Sequence, residues 1–294
     1  MPQQEIIKVV IPVAGLGTRL LPATKSQPKE MLPVGRRPVV QYVVEEMEAA
    51  GIKQILFVTG RKKMAIEDHF DADPELAKSL SAGGAYGMLD ELKYTETDVR
   101  FFYTRQSVPL GLADAVNHAV EFANGEHIVV ALGDSIIKSP DGSSLIREMI
   151  ELHLREGAAC TLAVEEVDLD EAYRYGIVKP ANGQGGQAAF ALDGLVEKPN
   201  LGAAPSNLAI AARYIFSPAI FEAIRRTAPD RQGELQLTDS IRLLMQLGHK
   251  VQAMHLRPGE RRYDIGNFES YFKAFIDFAL ADEKYGYMIR QYLK

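Results

Sequence analysis

A glycine-containing turn surrounded by basic residues is the feature of the sequence with the clearest chemical potential. An apolar run leads directly into Gly15 and Gly17, and the cations Arg19, Lys25 and Lys29 follow in the same proline-rich loop. Glycine lets the backbone approach a ligand closely and turn its N–H groups toward an anion. In a chain with a net charge of −6, three neighbouring cations add positive charge where that anion would lie. The turn and its cations therefore predict a pre-organised polyphosphate site.

The spacing of this turn does not match two common phosphate-binding motifs. A dinucleotide-binding turn would have a third glycine where this chain has Leu20, which disfavours a nicotinamide dehydrogenase. A P-loop would continue with glycine, lysine and serine or threonine, which are absent here. A glycine turn alone is also compatible with a simple tight turn, and scattered lysines with a solvated basic loop. The prediction therefore depends on the combination of turn, cations and prolines.

Two aspartates beside apolar segments are candidate metal ligands. Asp134 follows the apolar run at 128–132, in the context Gly133-Asp134-Ser135, and Asp264 lies shortly before the C-terminal helical pattern. Each one alone is compatible with a helix cap or a turn. Together they could supply a hard oxygen site for Mg²⁺, which commonly takes one or two carboxylates plus substrate phosphates.

Strands alternate with helices in the first half of the chain, and this alternation sets where the candidate residues lie. The pattern predicts strands at 6–13, 54–58, 99–103 and 128–132, and helices at 39–50, 62–70 and 112–122. It indicates an α/β fold in which right-handed βαβ units build a parallel sheet covered on both faces. Such sheets bind ligands in loops beyond the carboxyl ends of their strands, where the glycine turn and Asp134 lie.

The second half has a looser pattern. Strands are expected at 159–164, 209–216 and 251–256, helices at 144–156, 237–247 and 268–284, and an exposed hairpin tip at 182–186. No internal repeat or linker separates this half from the first. The simplest interpretation is therefore a single domain over residues 1–294.

Composition excludes several classes of protein. The net charge of −6 disfavours a general nucleic-acid-binding surface, so no nucleic-acid partner is expected. The longest uncharged run, at 199–212, is too short for a membrane helix and contains two prolines, so no membrane contact is expected. The start of the chain lacks the basic region of a secretory signal, and a single cysteine, Cys160, suits a reducing compartment. The predicted location is the cytoplasm.

Several segments of the chain resemble the signature of sugar-1-phosphate nucleotidylyltransferases. These are Gly-Leu-Gly-Thr-Arg at 15–19, Leu-Pro-Ala-Thr-Lys at 21–25, Pro-Lys-Glu-Met-Leu-Pro at 28–33, and the segments 41–45, 106–117, 197–213, 236–239 and 266–267. The resemblance covers most of the chain in the family's order. It implies a three-layer Rossmann-like nucleotidyltransferase fold with a central, mostly parallel sheet, a nucleotide-binding half (1–134), an elaborated sugar-binding half (135–266) and a C-terminal helical segment (267–294).

The resemblance is closest to family members that use UTP and glucose 1-phosphate. It implies Mg²⁺-assisted, direct in-line transfer of UMP, with UDP-glucose and pyrophosphate as products. Glucose 1-phosphate is a monoester with a second pKa near 6, so it is largely dianionic at pH 7 and needs no general base. The alternatives are the same chemistry with dTTP, which differs at the base by one methyl group, and a catalytically silent paralogue that binds a UDP-sugar.

The resemblance also assigns roles to residues. Arg19 would hold the β- and γ-phosphates, Lys25 or Lys29 would assist the leaving pyrophosphate, and Lys198 would neutralise the sugar phosphate. The nucleotide-binding positions are Ala14, Gly15, Gly17, Glu30, Gln106 and Gly111; the sugar-binding positions are Gly176, Glu197 and Asn207; the metal ligands are Asp134 and Asp264. Gly133 is a departure, since relatives commonly have proline there. Asp114 is expected only to cap the helix that follows it.

The C-terminal helical pattern is rich in large apolar residues. Packing on the core is their first expected use, and contact between copies of the chain is the second. Because the resembled enzymes are homo-oligomers, a dimer or tetramer is expected.

Overall fold

The computed structural model describes residues 5–140 and 144–294; the prediction about a secretory signal falls mainly on residues 1–4, outside these ranges. The strands of the described residues are β1 (Lys8–Pro12), β2 (Pro33–Val34), β3 (Arg37–Pro38), β4 (Gln54–Thr59), β5 (Arg100–Arg105), β6 (Ile128–Ala131), β7 (Ser135–Lys138), β8 (Cys160–Glu166), β9 (Gly176–Pro180), β10 (Ala189–Glu197), β11 (Leu208–Phe216), β12 (Val251–His255) and β13 (Arg261–Asp264). The helices are α1 (Val39–Ala49), α2 (Met64–Phe70), α3 (Pro74–Ala82), α4 (Tyr86–Leu89), α5 (Leu112–Asn117), α6 (Val120–Ala123), α7 (Leu145–Glu156), α8 (Ala219–Arg226), α9 (Leu237–Gln246), α10 (Phe268–Ala281) and α11 (Gly286–Tyr292).

The central sheet joins nine strands of the described chain in the order β5-β4-β1-β6-β11-β8-β12-β10-β9. Strands β5, β4, β1 and β6 are parallel, as expected for the first half. Strand β11 is antiparallel to both β6 and β8, and β10 is antiparallel to β12 and β9, whereas β8 and β12 are parallel. The predicted α/β fold is confirmed. The sheet is mixed. Beyond β6, only the pairing of β8 with β12 is parallel.

Helices cover both faces of the sheet, because successive strand residues point to opposite sides. In β1, Val10 faces a core shared with α5, α6, α8 and α9. Its neighbours Val9 and Ile11 face a core shared with α1, α2 and α7. Each fully buried Val or Ile side chain contributes roughly 1.5–3 kcal/mol, so these two cores hold the three layers together.

A third, smaller core anchors the proline-rich loop after β1. Leu20 and Leu32 of this loop pack with Ile136 of β7, Tyr263 of β13 and Ala274 of α10. Strands β7 and β13 form a separate two-stranded antiparallel ribbon. The loop that carries the predicted phosphate site is therefore fixed between the sheet and α10.

Most elements predicted for the first half agree with the structure to within two residues at each end. The single helix predicted at 112–122 is wrong, because the chain forms α5 and α6 with a break at His118 and Ala119. The hairpin tip predicted at 182–186 lies between the antiparallel strands β9 and β10. The C-terminal helix ends at Ala281, earlier than predicted, and α11 follows. No helix in the described part of the chain is long and apolar enough to cross a membrane.

Candidate active site

Two cavities open at the carboxyl ends of the parallel strands. The smaller, about 420 Å³, is lined by the glycine turn together with Lys29, Glu30, Gln106 and Gly111. The larger, about 1040 Å³, lies beside β9, β10 and β13 and is lined by Gly176, Glu197, Lys198, Asn207 and Asp264, among others. Both cavities share four lining residues: Arg19, Leu112, Leu132 and Asp134. A ligand in one cavity therefore meets a ligand in the other at Arg19 and Asp134.

The glycine turn has a backbone geometry that lets a ligand approach its N–H groups closely. Gly17 has a φ of 66°, in the left-handed region, and its carbonyl accepts a 2.7 Å hydrogen bond from Thr24 Oγ1. A Cβ atom at Gly17 would lie 3.2 Å from the Thr24 side chain, so a larger residue would be both strained and crowded. Ala14, Gly15 and Gly17 line the smaller cavity. The predicted nucleotide positions at 14–17 thus lie on one wall.

Two ion pairs lie next to this wall. Lys29 Nζ forms an ion pair with Asp134, and the buried Lys63 forms one with the buried Glu30, at 2.8 Å. Burial alone would lower the pKa of Lys29, but the carboxylates of Asp134 and Glu30 outweigh burial and raise it, so Lys29 stays protonated. Burial raises the pKa of Glu30 despite its two lysine neighbours. Lys63 was not predicted; nothing in its local sequence indicated that it would reach Glu30.

The two predicted metal ligands are neighbours. The antiparallel ribbon pairs Ser135 with Asp264, and the Ile265 N–H donates to the Asp134 carbonyl at 2.9 Å. Burial would raise the pKa of Asp134, but the ion pair with Lys29 lowers it. Burial and the nearby Asp134 carboxylate raise the pKa of Asp264. Opposite shifts of this kind are typical of two carboxylates that share one site.

The donor set fits Mg²⁺. Two carboxylates lie beside a cavity that can admit phosphate oxygens, which is the usual protein contribution to a magnesium site. The buried hydroxyl of Ser135, between them in the ribbon, has no hydrogen-bond partner in the described structure, which leaves it free for a ligand. A Cβ atom at Gly266 would lie 3.0 Å from Asp264 Oδ2, so the glycine keeps this carboxylate uncrowded.

Close packing explains why glycine occupies position 133. A Cβ atom at this position would lie 2.5 Å from Val13 Cγ1 and 3.2 Å from Ile11 Cγ2. The ends of β1 and β6 therefore approach each other closely just before Asp134.

Gln106 lies at the far end of the smaller cavity and is almost fully buried, with 4% of its surface exposed. Its Nε2 donates to Asp114 Oδ2 at 2.6 Å and to the Gly111 carbonyl at 3.2 Å. The expectation that Asp114 caps the helix is wrong. Gly111 is the capping residue of α5, and Asp114 lies in its first turn and contacts Gln106 instead.

The loop at 106–111 is held by a segment from the other half of the chain. Leu235 N donates to the Leu110 carbonyl at 2.7 Å, and the Leu235 carbonyl accepts from Ala113 N at 3.0 Å. Gly111 has a φ of 101°, and a Cβ atom there would lie 2.5 Å from the Leu235 carbonyl oxygen. Only glycine allows this approach, which gives a structural reason for the predicted site residue.

Glu197 and Gly176 face each other across β9 and β10. Glu197 Oε2 accepts a 3.0 Å hydrogen bond from Thr238 Oγ1, and its Oε1 lies 3.3 Å from Lys198 Nζ. Lys198 has an unusual φ of 43°, and 61% of its side chain is exposed. Thr238 was missed because it lies more than forty residues further along the chain, on α9.

Arg262 is a third residue that the sequence did not indicate. Its guanidinium is buried in the wall of the larger cavity, bonds Glu165 at 2.5 Å and lies over the Tyr175 ring. The carboxylates of Glu165 and Asp264 outweigh burial and raise its pKa. Arg262 therefore adds a permanent positive charge near Asp264.

The remaining cations differ in their surroundings. Arg19 is exposed, lines both cavities and forms no ion pair with any described residue. Lys25 is also exposed, but it ends a short helical turn in which Thr24 points inward, and it lines neither cavity. The structure thus places Lys29 in the smaller cavity and leaves Lys25 outside it. Asn207 lies in the wall of the larger cavity.

Comparisons with known proteins show the family to which the chain belongs. The family model described as nucleotidyl transferase matches residues 8–279. UTP–glucose-1-phosphate uridylyltransferase 2 of Staphylococcus saprophyticus is 42% identical over 280 residues, which cover 95% of this chain and 94% of the relative.

Two solved structures share the fold along almost the whole chain. The UTP-bound UGPase from Acinetobacter baumannii is 36% identical, with a TM-score of 0.90, and the match covers 98% of this chain and 99% of that one. A UDP-glucose pyrophosphorylase complexed with UDP-glucose is 34% identical, with a TM-score of 0.84, covering 95% and 100%.

Proposed function

Because the chain belongs to the nucleotidyl transferase family, we propose that it transfers UMP from UTP to glucose 1-phosphate, giving UDP-glucose and pyrophosphate. The observation that carries this proposal is the shared wall of the two cavities at Arg19 and Asp134. One cavity suits a nucleotide and the other a sugar phosphate. The α-phosphorus of the nucleotide would lie where the cavities meet, within reach of the sugar phosphate oxygen.

On the nucleotide side, the backbone at Gly15 and Gly17 and the unpaired cation Arg19 bind the β- and γ-phosphates. Before ligands bind, the ion pair with Asp134 holds Lys29 in the cavity and keeps it protonated. Lys29 then stabilises the charge that grows on the departing pyrophosphate. The position of Lys29 in the cavity favours it over Lys25 for this role.

On the sugar side, Lys198 neutralises the phosphate of glucose 1-phosphate. Glu197, oriented by Thr238, accepts hydrogen bonds from glucose hydroxyls. The absence of a side chain at Gly176 lets Glu197 and Thr238 pack close to its backbone. Asn207 supplies a further polar contact in the same wall. Alignment of the two reactants and neutralisation of their charges provide the main catalytic effect.

Asp134 and Asp264 would hold Mg²⁺, with the Ser135 hydroxyl beside them. When bound, Mg²⁺ neutralises phosphate charge and orients the reacting phosphates. Asp134 would exchange its ion pair with Lys29 for this role, which frees the Lys29 ammonium for the substrate phosphates.

The test of the proposal is pyrophosphate release from glucose 1-phosphate with UTP, dTTP, ATP or GTP, with Mg²⁺ or with EDTA. We expect strong release with UTP that EDTA abolishes. A preference for dTTP would keep the reaction and change the nucleotide. Binding of UDP-glucose without release from any of the four would contradict an enzymatic role.

The proposal includes a homo-oligomer, a dimer or tetramer. Its support is the exposure of large apolar residues on α10 and α11, such as Phe272, Ile276, Tyr287 and Met288. Sedimentation at micromolar concentration should show more than one copy, and Phe272→Glu should shift the distribution toward monomer. A monomeric wild-type chain would contradict this part. The cytoplasmic location is likewise proposed, on the single Cys160, which is buried.

A further inference from the structure

The hydrogen bonds of Gln106 determine which atom of its side chain can face a base. Both partners of the amide, the Asp114 carboxylate and the Gly111 carbonyl, can only accept hydrogen bonds. The atom that faces them must therefore be the NH₂ group. The amide oxygen Oε1 then points away from these partners and has no other hydrogen-bond partner among the described residues.

The buried position of Gln106 gives this orientation a functional meaning. The residue lines the smaller cavity, so an acceptor oxygen is presented to a ligand while both amide donors are already used. Uracil has an N3–H that can donate to this oxygen. Cytosine has no hydrogen on N3 and carries an amino group where uracil has a carbonyl. Its N3 and the Gln106 Oε1 atom are both acceptors, so they would repel each other.

Among the described residues, no side chain other than Gln106 lies within hydrogen-bond distance of the Asp114 carboxylate. His118 Nε2 lies 3.7 Å from the same Oδ2 atom, beyond hydrogen-bond distance. The 2.6 Å contact with Gln106 is shorter than the 3.2 Å contact between Gln106 and the Gly111 carbonyl. A carboxylate acceptor is also stronger than a neutral carbonyl, so Asp114 is the main determinant of the amide orientation.

We propose that Asp114 is a positioning residue that locks the Gln106 amide and so makes the site select bases with a protonated N3, such as uracil, over cytosine. The inference rests on the proposed function, since it assigns the smaller cavity to the base. Asp114 does not contact the substrate; it acts through Gln106. A site built to accept an N–H rejects an analogue that lacks it far more strongly than it rejects one with an extra methyl group.

The test compares UTP with CTP in Asp114→Asn, which keeps the shape of the side chain and can present either a donor or an acceptor to Gln106. We expect the ratio of kcat/KM for UTP to that for CTP to fall at least about tenfold, the size expected for losing a charge-assisted hydrogen bond. Asp114→Ala removes the acceptor by truncation and should shift the ratio in the same direction. Asp114→Glu keeps an acceptor-only carboxylate and should restore most of the selectivity.

The control is Glu222→Gln, which also changes an acidic residue in the first turn of a helix and breaks only an exposed ion pair with Arg226. Its ratio should equal that of the wild type. Melting temperatures of all variants separate loss of folding from loss of selectivity, because a purely structural defect lowers kcat/KM for both nucleotides together.

Dissociation constants for UDP-glucose and CDP-glucose, measured by calorimetry, provide a readout that does not need turnover. An unchanged ratio in folded Asp114→Asn and Asp114→Ala, in turnover and in binding, would overturn the proposal for Asp114. If the wild-type chain releases no pyrophosphate from UTP, the proposed function fails, and the binding ratio still decides the role of Asp114.

Discussion

The two cavities hold their polar groups in different ways. In the smaller cavity, Lys29, Glu30 and Gln106 each have a partner in direct contact, and Glu30 and Gln106 are almost fully buried. In the larger cavity, Lys198 is mostly exposed and lies 3.3 Å from a single carboxylate oxygen of Glu197. Arg19, at the junction, has no ion-pair partner among the described residues.

This difference indicates which part of the site is pre-organised. Lys29, Glu30 and Gln106 of the smaller cavity lie beside the parallel half of the sheet and are already held by protein partners, so they would lose little conformational entropy when a ligand binds. In the larger cavity, Arg262 is likewise held by its ion pair with Glu165, whereas Lys198 keeps conformational freedom and would become ordered when the second substrate brings its charge. The substitutions below test whether rigid and mobile cations contribute differently to the reaction.

The largest effect is expected for Lys29→Met. Removing a pre-organised, largely enclosed cation from the nucleotide side should lower kcat about 10³-fold, measured as pyrophosphate release with saturating substrates. Lys25→Met is the matched comparison, because Lys25 belongs to the same loop but lines neither cavity. A larger loss for Lys25 than for Lys29 would reverse the assignment of the leaving-group cation.

Lys198→Ala should lower turnover by at least about 10²-fold, since it removes the charge that steadies the sugar phosphate. The smaller loss follows from the exposure of this side chain, whose charge is partly screened by water. Lys179→Ala, which changes an exposed lysine of β9 outside both cavities, is the control. Turnover of Lys198→Ala within threefold of wild type would remove Lys198 from the mechanism.

A third prediction concerns the end of the sheet opposite both cavities, where strands β6 and β8 begin. His153 is fully buried, bonds Thr161 and His127 at 2.9 Å, and has a pKa lowered to about 3, first by burial and then by His127. It is neutral in the folded chain and takes up a proton in the unfolded chain below its usual pKa of about 6.5.

Because the unfolded chain binds this proton and the folded chain does not, the free energy of unfolding decreases as the pH falls from about 6.5 toward 3. His153 alone should lower the free energy of unfolding by about 1.5 kcal/mol between pH 6.5 and pH 5. Urea titrations of the wild type and of His153→Gln measure it, since the variant should lack this part of the pH dependence. Equal pH dependence in both would show that His153 is not the responsible group.

The smallest effect is expected for Thr238→Val. The change keeps the shape of the side chain and removes the 3.0 Å hydrogen bond to Glu197. The KM for glucose 1-phosphate should rise about fivefold, the size of one net hydrogen bond, with kcat and the KM for UTP nearly unchanged. A rise in the KM for UTP instead would show that Glu197 contacts the nucleotide and not the sugar phosphate.

The sequence allowed prediction of the nucleotide half because its signals are local. Alternating strands and helices place the glycine turn after β1 and Asp134 after β6, and the carboxyl ends of parallel strands lie at one edge. Lys29, Gln106 and Gly111 follow the same strand-to-loop pattern. These residues line the smaller cavity or its junction with the larger one.

The parts that were not predicted depend on long-range register. Asp134 and Asp264 were predicted to act together, but the ribbon of β7 and β13 that joins them was not. Its strands are four residues long and mixed in polarity, so neither shows a clear strand pattern. The contact of Thr238 with Glu197 and that of Arg262 with Glu165 likewise join distant elements. The insertion of β11 between β6 and β8, which makes the sheet mixed, has no local signal at all.

In the proposed reaction, the sugar phosphate itself attacks the α-phosphorus where the two cavities meet. The most direct measurement uses UTP with a single sulfur-substituted, chiral α-phosphorus and determines the configuration of the nucleoside diphosphate sugar by phosphorus NMR. One in-line displacement predicts inversion of configuration. Retention would require two displacements through a covalent enzyme intermediate and would contradict the account.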